Sequence, residues 1–214
     1  MRKVSLFDLD QTLLKDNGSF QFGIYLYKHK AFSFASMLYY VICYALHKLN
    51  CMPMQRLHEK IFGSLFKGKS SSTFNQLAKE FLDQQFDSMC YPPAIQKLQE
   101  AKKSGHFTVI LSSSPDFLVK LIANRLNVDA WAATSFLVDN NDNFWKISNV
   151  MHGECKSRYM HSLSKKLAIS IGNFIAYSDS YLDLPFLKAA GRAVGVNPDK
   201  KLKSICKKNQ WEII

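Results

Sequence analysis

The sequence predicts an α/β fold: a Rossmann-like parallel sheet with helices on both faces and a helical cap inserted after the first strand. Three observations predict it. Short apolar runs of four or five residues recur and each ends at polar residues, as buried parallel strands do when they deliver side chains to their carboxyl edge. Helical patterns separate the later runs, and alternation of strand and helix with short links builds a sheet whose ligands bind beyond the strand ends. A long aromatic-rich segment after the first run breaks this alternation.

Taken in order, Val4 to Phe7 is a β-prone run that ends at Asp8. The segment from Phe20 to Phe86 has no strand-like alternation and reads as a helical insert over the active edge, so the core is expected at 1–15 and 87–214 and the cap at 16–86. Within the insert, Ala31 to Leu46 is 16 residues without a charge, preceded by Lys28, His29 and Lys30 and followed by His47 and Lys48. A spanning helix needs about 20 apolar residues. The stretch therefore reads as a buried cap helix, with a helix lying at a membrane interface as the alternative. Lys69 to Thr73 (KSSST) reads as a loop.

Pro92 to Ser104 is helical, with Pro in the first turn and Gly105 where a C-terminal cap belongs. Phe107 to Leu111 is a strand ending at Ser112, and Pro115 to Leu126 is a helix. Cys155 to Leu167 and Leu182 to Ala190 are further helices. Phe174 to Tyr177 is a strand before Ser178 and Asp179, and Ala193 to Val196 one before Asn197 and Pro198.

Composition narrows the function. A chain of 214 residues fits one domain, or a core with a modest insert. Hydrophobic residues at 47% and charged residues at 21% exclude disorder and fibrous repeats. Five scattered cysteines without a C-x-x-C pair exclude a disulfide framework and a zinc knuckle, and suit a reducing cytoplasm. The N-terminus reaches Asp8 before an apolar signal region can form, so the expected location is cytoplasmic or peripheral to a membrane. A net charge of +11 favours anionic partners. Lys200, Lys201, Lys203, Lys207 and Lys208 carry no nucleic-acid motif and read as a solvated helix face, so no nucleic acid is expected. The six histidines show no metal-ligand spacing.

Asp8 and Asp10 stand two apart after a strand, so both reach one substrate, one carboxylate attacking while the other moves protons. Phosphate esters repel an anionic nucleophile, and a divalent cation must screen that charge. Asp179 and Asp183 follow another strand and add hard oxygen ligands suited to Mg2+. Ser112, Ser113 and Ser114 precede Pro115 and form a candidate phosphate cradle at a helix start. Lys156, early in a helix, supplies positive charge for phosphoryl oxygens.

These residues carry a resemblance. The chain resembles the haloacid dehalogenase superfamily and, within it, the phosphoserine-phosphatase-like group of subfamily IB, over nearly its whole length. The D-x-D-x-T motif looks like Asp8, Asp10 and Thr12; the Ser or Thr after a later strand looks like Ser112; the motif lysine resembles Lys156; D-x-x-x-D matches Asp179 and Asp183. Val196-Asn197-Pro198-Asp199, then Leu202 and Trp211, also look like this group. Dehalogenases of the superfamily generally lack an acid at the position of Asp10, which a leaving alkoxide needs and a halide does not.

The resemblance implies Asp8 as nucleophile, Asp10 as acid and then base, and magnesium held by Asp8, the Asp10 carbonyl and Asp179, with Asp183 behind those ligands. It implies hydrolysis of a phosphomonoester through an aspartyl-phosphate. The substrate is either a small phosphorylated metabolite such as phosphoserine or a lipid phosphate such as phosphatidylglycerophosphate; the apolar insert and basic surface make the lipid more plausible than for an acidic, polar-capped relative, but an aromatic cap equally describes an ordinary helical core, so both stand. A phosphotransferase of the same fold and a catalytically silent binding protein are the alternatives. Two positions depart from the pattern: Gln11 and Ser178 stand where the family commonly has Gly.

Overall fold

The computed structural model describes residues 2–49 and 51–214. Its strands are β1 (Val4–Phe7), β2 (Phe107–Pro115), β3 (Ala130–Val138), β4 (Phe144–Asn149), β5 (Phe174–Ser178), β6 (Arg192–Gly195) and β7 (Glu212–Ile213). They form one sheet in the order β4-β3-β2-β1-β5-β6-β7. All pairs are parallel except β3 with β4, which form an antiparallel hairpin at one edge.

The centre of the sheet is apolar on both faces because its strands are covered on both. Along β1 the side chains alternate: Val4 and Leu6 pack with Val109, Phe174 and Phe186, whereas Phe7 packs on the other face with Ile110, Ile175 and Val194. Phe7 also stacks on Tyr177 with ring centroids 4.3 Å apart. Register places Phe7 opposite Ile110 on β2 and Tyr177 on β5, so the residues that follow leave the sheet at one edge.

Among the described residues, four α-helices lie between β1 and α5 (Pro92–Lys103): α1 (Gly18–Lys28), α2 (Phe34–Lys48), α3 (Met54–Ile61) and α4 (Ser71–Met89). Asn17, Ser33 and Ser70 cap α1, α2 and α4 by accepting from the main-chain N–H groups of Phe20, Ser36 and Thr73. The KSSST segment is thus the opening of a helix rather than a loop. Its serines also bind the hairpin, since Asp142 accepts from Ser71 Oγ at 2.6 Å and Ser72 N–H at 2.9 Å.

Beyond α5 lie α6 (Asp116–Arg125), α7 (Gly153–Leu167), α8 (Leu184–Ala189) and α9 (Lys200–Lys208). The helix expected from Leu182 is a 3-10 turn, Tyr181–Asp183, running into α8. All five lysines of α9 are exposed while Leu202 and Cys206 are buried, as a solvated face requires. The buried reading of the uncharged stretch is corrected on one side: Tyr40 and Cys43 of α2 are buried, but Phe34, Leu38, Val41, Ile42 and Leu46 face solvent. Among the described residues no helix is long and apolar enough to cross a membrane.

Candidate active site

Asp8 follows β1 and Asp179 follows the neighbouring parallel strand β5, so the register of that pair brings the two acids to the same sheet edge. Thr12 joins them: its hydroxyl donates to Asp179 Oδ1 at 3.0 Å and accepts the Asp179 main-chain N–H at 3.0 Å. Lys156, from the first turns of α7, donates at 2.7 Å both to Asp8 Oδ1 and to Asp183 Oδ2. The lysine is 3% exposed. Burial opposes its charge, but Asp183 and Asp8 outweigh this and raise its pKa above the ordinary lysine value.

Gly153 makes this reach possible. A Cβ there would meet the Leu182 carbonyl oxygen at 2.3 Å, so the start of α7 passes closer to the Asp183 turn than another residue permits. Ser178 completes the cluster by donating its hydroxyl to Asp183 Oδ2 at 2.8 Å. Here the departure from Gly has a structural use.

Asp10 turns away from this cluster. Its Oδ1 accepts the Gly18 N–H at 2.6 Å, and its Oδ2 accepts the hydroxyls of Ser114 at 2.6 Å and Ser112 at 3.3 Å. Burial raises its pKa, against the pull of these hydrogen bonds. Between the two aspartates Gln11 has φ 60 and ψ 4, the left-handed conformation that explains why glycine is common at this position.

The serines are placed differently from a helix-start cradle. Ser112, Ser113 and Ser114 remain in β2, which continues to Pro115 past a shift of register. Ser112 is fully buried and its hydroxyl serves Asp10 and the Ser114 N–H. The helix begins at Asp116, whose own carboxylate accepts the Phe117 and Phe136 N–H groups, so an acid already occupies that N-terminus. Ser113 and Ser114 face the cavity instead. Ser114 and Gly18 as partners of Asp10 had no signal in the residue spacing, because the strand continues where a turn was expected.

Could the acids hold magnesium? Asp8, Asp179 and Asp183 are buried, and Lys156 pairs with Asp8 and Asp183. Burial first, then repulsion from neighbouring carboxylates, raises the pKa of Asp8 well above normal and that of Asp179 to about 6. Such an excess of hard anionic oxygen fits a divalent cation. Among the described residues no three His, Cys, Asp or Glu side chains gather as a metal-binding group. The Asp10 carboxylate is engaged by Gly18, Ser112 and Ser114, which leaves its main-chain carbonyl as the atom it could offer a metal.

Asp8, Asp10, Asp179 and Lys156 line a cavity of about 910 Å³ that extends into α1, α2 and α3. Its far wall is largely apolar and aromatic, including Phe22, Leu26, Phe32, Tyr40, Leu65, Phe66 and Phe136. Gly23 admits the Tyr40 ring, which lies 2.7 Å from where a Cβ would be. His47 and His58, without a role from spacing, are in this wall. No arginine lines the cavity among the described residues, and Lys156, its one lysine, is held between Asp8 and Asp183.

Comparison with known proteins bears on the fold and the family. A phosphoserine phosphatase of Mycobacterium tuberculosis is 26% identical over 215 residues, covering 98% of this chain and 69% of the relative. A protein of unknown function from Bordetella pertussis superposes with a TM-score of 0.90 at 21% identity, covering 100% of this chain and 98% of that one. A substrate-bound phosphoserine phosphatase superposes with a TM-score of 0.73 at 16% identity, covering 95% and 90%. The haloacid dehalogenase-like hydrolase family model matches residues 5–188. With the strand-edge aspartates and the α/β sheet, that match makes the chain a member of the haloacid dehalogenase-like hydrolase family.

Proposed function

We propose that this hydrolase is a phosphatase that cleaves a phosphomonoester through an aspartyl-phosphate on Asp8, and that its substrate carries a large apolar alcohol portion. The juxtaposition of Asp8 with Asp10 at the floor of a mainly apolar cavity carries the reading. An Asp8 carboxylate oxygen forms a bond to phosphorus as the ester P–O bond breaks. Asp10 gives its proton to the leaving alkoxide, and burial suits it to hold that proton beforehand. Asp10 then takes a proton from water, whose oxygen attacks phosphorus and releases phosphate and the free Asp8 carboxylate.

Magnesium held by Asp8, the Asp10 carbonyl and Asp179 supplies screening of phosphoryl charge when bound. Lys156 keeps Asp8 positioned and offsets negative charge beside it, with Asp183 anchoring the lysine. Ser113 offers a polar group at the cavity edge for phosphoryl oxygens, whereas Ser112 and Ser114 act through Asp10. The helices between β1 and α5 serve as the cap that excludes water from this chemistry.

The name of the mycobacterial relative favours phosphoserine as a second reading. Phosphoserine also brings a carboxylate and an ammonium, and a buried charge without a partner is costly. The apolar wall and, among the described lining residues, the lack of an arginine or of a lysine outside an ion pair support a lipid-like phosphomonoester over this zwitterion. Comparing kcat/KM for phosphoserine and for phosphomonoesters of long alkyl alcohols, with magnesium and with EDTA, tests both. The expected preference for the alkyl esters is on the order of a hundredfold. A preference for phosphoserine overturns the apolar substrate, and magnesium-independent turnover or none of either class overturns the phosphatase.

A further inference from the structure

Helix α2 has two apolar faces. One carries Tyr40 into the cavity wall. The other presents Phe34, Leu38, Val41, Ile42 and Leu46, with Leu49 just beyond the helix, all between 37% and 70% exposed. Steps of three, four and one residues along this series place them in a single stripe. No charge interrupts the chain from 31 to 46. A contiguous exposed face of this kind marks an interaction surface.

Charge identifies what it meets. Residues 18–70 contain seven Lys and Arg against one acid, Glu59. Lys28 and Lys30 are exposed just before α2, and Arg56 and Lys60 are exposed shortly after it. A symmetric pairing of this face with a second copy would bring two cationic rims together. An anionic lipid surface complements both the stripe and its rim. The helix has 15 residues, or about 22 Å of length, against a hydrocarbon core of about 30 Å. Its geometry therefore suits lying along a bilayer.

We propose that α2 docks in the interface of an anionic membrane, with the Phe34 to Leu49 stripe below the headgroups and the flanking cations at the lipid phosphates. The segment after α2 joins this face to the active site: Leu49 is exposed, while Cys51, Met52, Pro53 and Met54 line the cavity. The wall of the cavity thus adjoins the docked face. The docking stands on α2 itself and does not depend on which phosphomonoester is cleaved.

The test is co-sedimentation of the full chain with phosphatidylglycerol vesicles and with phosphatidylcholine vesicles, with solution mass measured by light scattering. The expected result is binding to the anionic vesicles that weakens with salt and falls at least tenfold in a Leu38→Glu, Ile42→Glu double variant. Both positions are exposed, and an unchanged melting temperature shows that the variant folds without reference to turnover. Absence of binding to anionic vesicles, equal binding to both vesicle types, or binding retained by the double variant overturns the proposal. A dimer that the variant splits, without vesicle binding, assigns the face to a second copy instead.

Discussion

Ser178 donates its hydroxyl to Asp183 Oδ2 over 2.8 Å, and that oxygen also accepts Lys156 Nζ at 2.7 Å. A hydroxyl here supplements the salt bridge rather than replacing it. Ser178→Ala should cost about 1 kcal/mol of stability, with Lys156 still held and kcat reduced less than tenfold. Lys156→Ala leaves Asp8 and Asp183 without their buried cation and should cost about 3 to 5 kcal/mol. Urea unfolding of the two variants, beside their kcat values, separates a supporting contact from the central one.

Gln11 stores local backbone strain at φ 60. Gln11→Gly removes the Cβ conflict but adds freedom to the unfolded chain, so the expected net gain is about 0.5 to 1 kcal/mol. A higher urea midpoint with an unchanged slope is the predicted result; a loss of stability would mean that the Gln11 side chain makes a compensating contact.

Gly153 sets the position of Lys156 through the approach of α7 to Leu182. In Gly153→Ala the new methyl must push the helix start away from a main-chain oxygen, and the lysine three residues on moves with it. The expected outcome is at least a hundredfold loss of kcat, since displacement of a catalytic constellation by about 1 Å has that scale. Far-ultraviolet circular dichroism should remain that of the parent.

His58 provides a pH test in the cavity wall. Burial, and then His47, lowers its pKa from 6.5 to about 4. The unfolded chain takes up a proton below pH 6.5 that the folded chain refuses until about pH 4, so this contribution is present above pH 6.5 and is lost as pH falls through that window. The loss amounts to roughly 2 to 3 kcal/mol. Melting curves of parent and His58→Gln between pH 7 and 4 should converge on a flatter profile for the variant; parallel profiles would show that His58 titrates alike in both states.

The parts legible in the sequence are those fixed by short-range pattern. β1, β2, β5 and β6 are covered on both faces, so each writes a continuous apolar run, and the acids after β1 and β5 mark the edge they share. The hairpin of β3 and β4 went unseen because Ala130, Ala132 and Ala133 are weak strand formers and Leu137, Val138 and Trp145 are exposed. What secures it is distant in sequence: Phe136 and Phe144 pack on Phe62, Phe66 and Phe74.

The same distinction holds in the site. Asp8, Asp10, Lys156, Asp179 and Asp183 stand out as residue types near strand and helix ends, whereas the serines, expected as a cradle at a helix start, lie within β2. Ser114 reaches Asp10 across 104 positions because β2 runs on past Leu111. An uncharged stretch such as Ala31 to Leu46 reads alike whether its outer face is buried or exposed, and only the packing of α2 distinguishes them.

The central claim is that Asp8 carries the phosphoryl group and Asp10 carries the proton. Rapid acid quench with a phosphomonoester labelled at phosphorus, in the parent, Asp8→Asn and Asp10→Asn chains, measures it directly. The account predicts label covalently bound to the parent, none on Asp8→Asn, and both slow labelling and slow release in Asp10→Asn. Label or most of the magnesium-dependent turnover retained in Asp8→Asn would contradict the covalent mechanism.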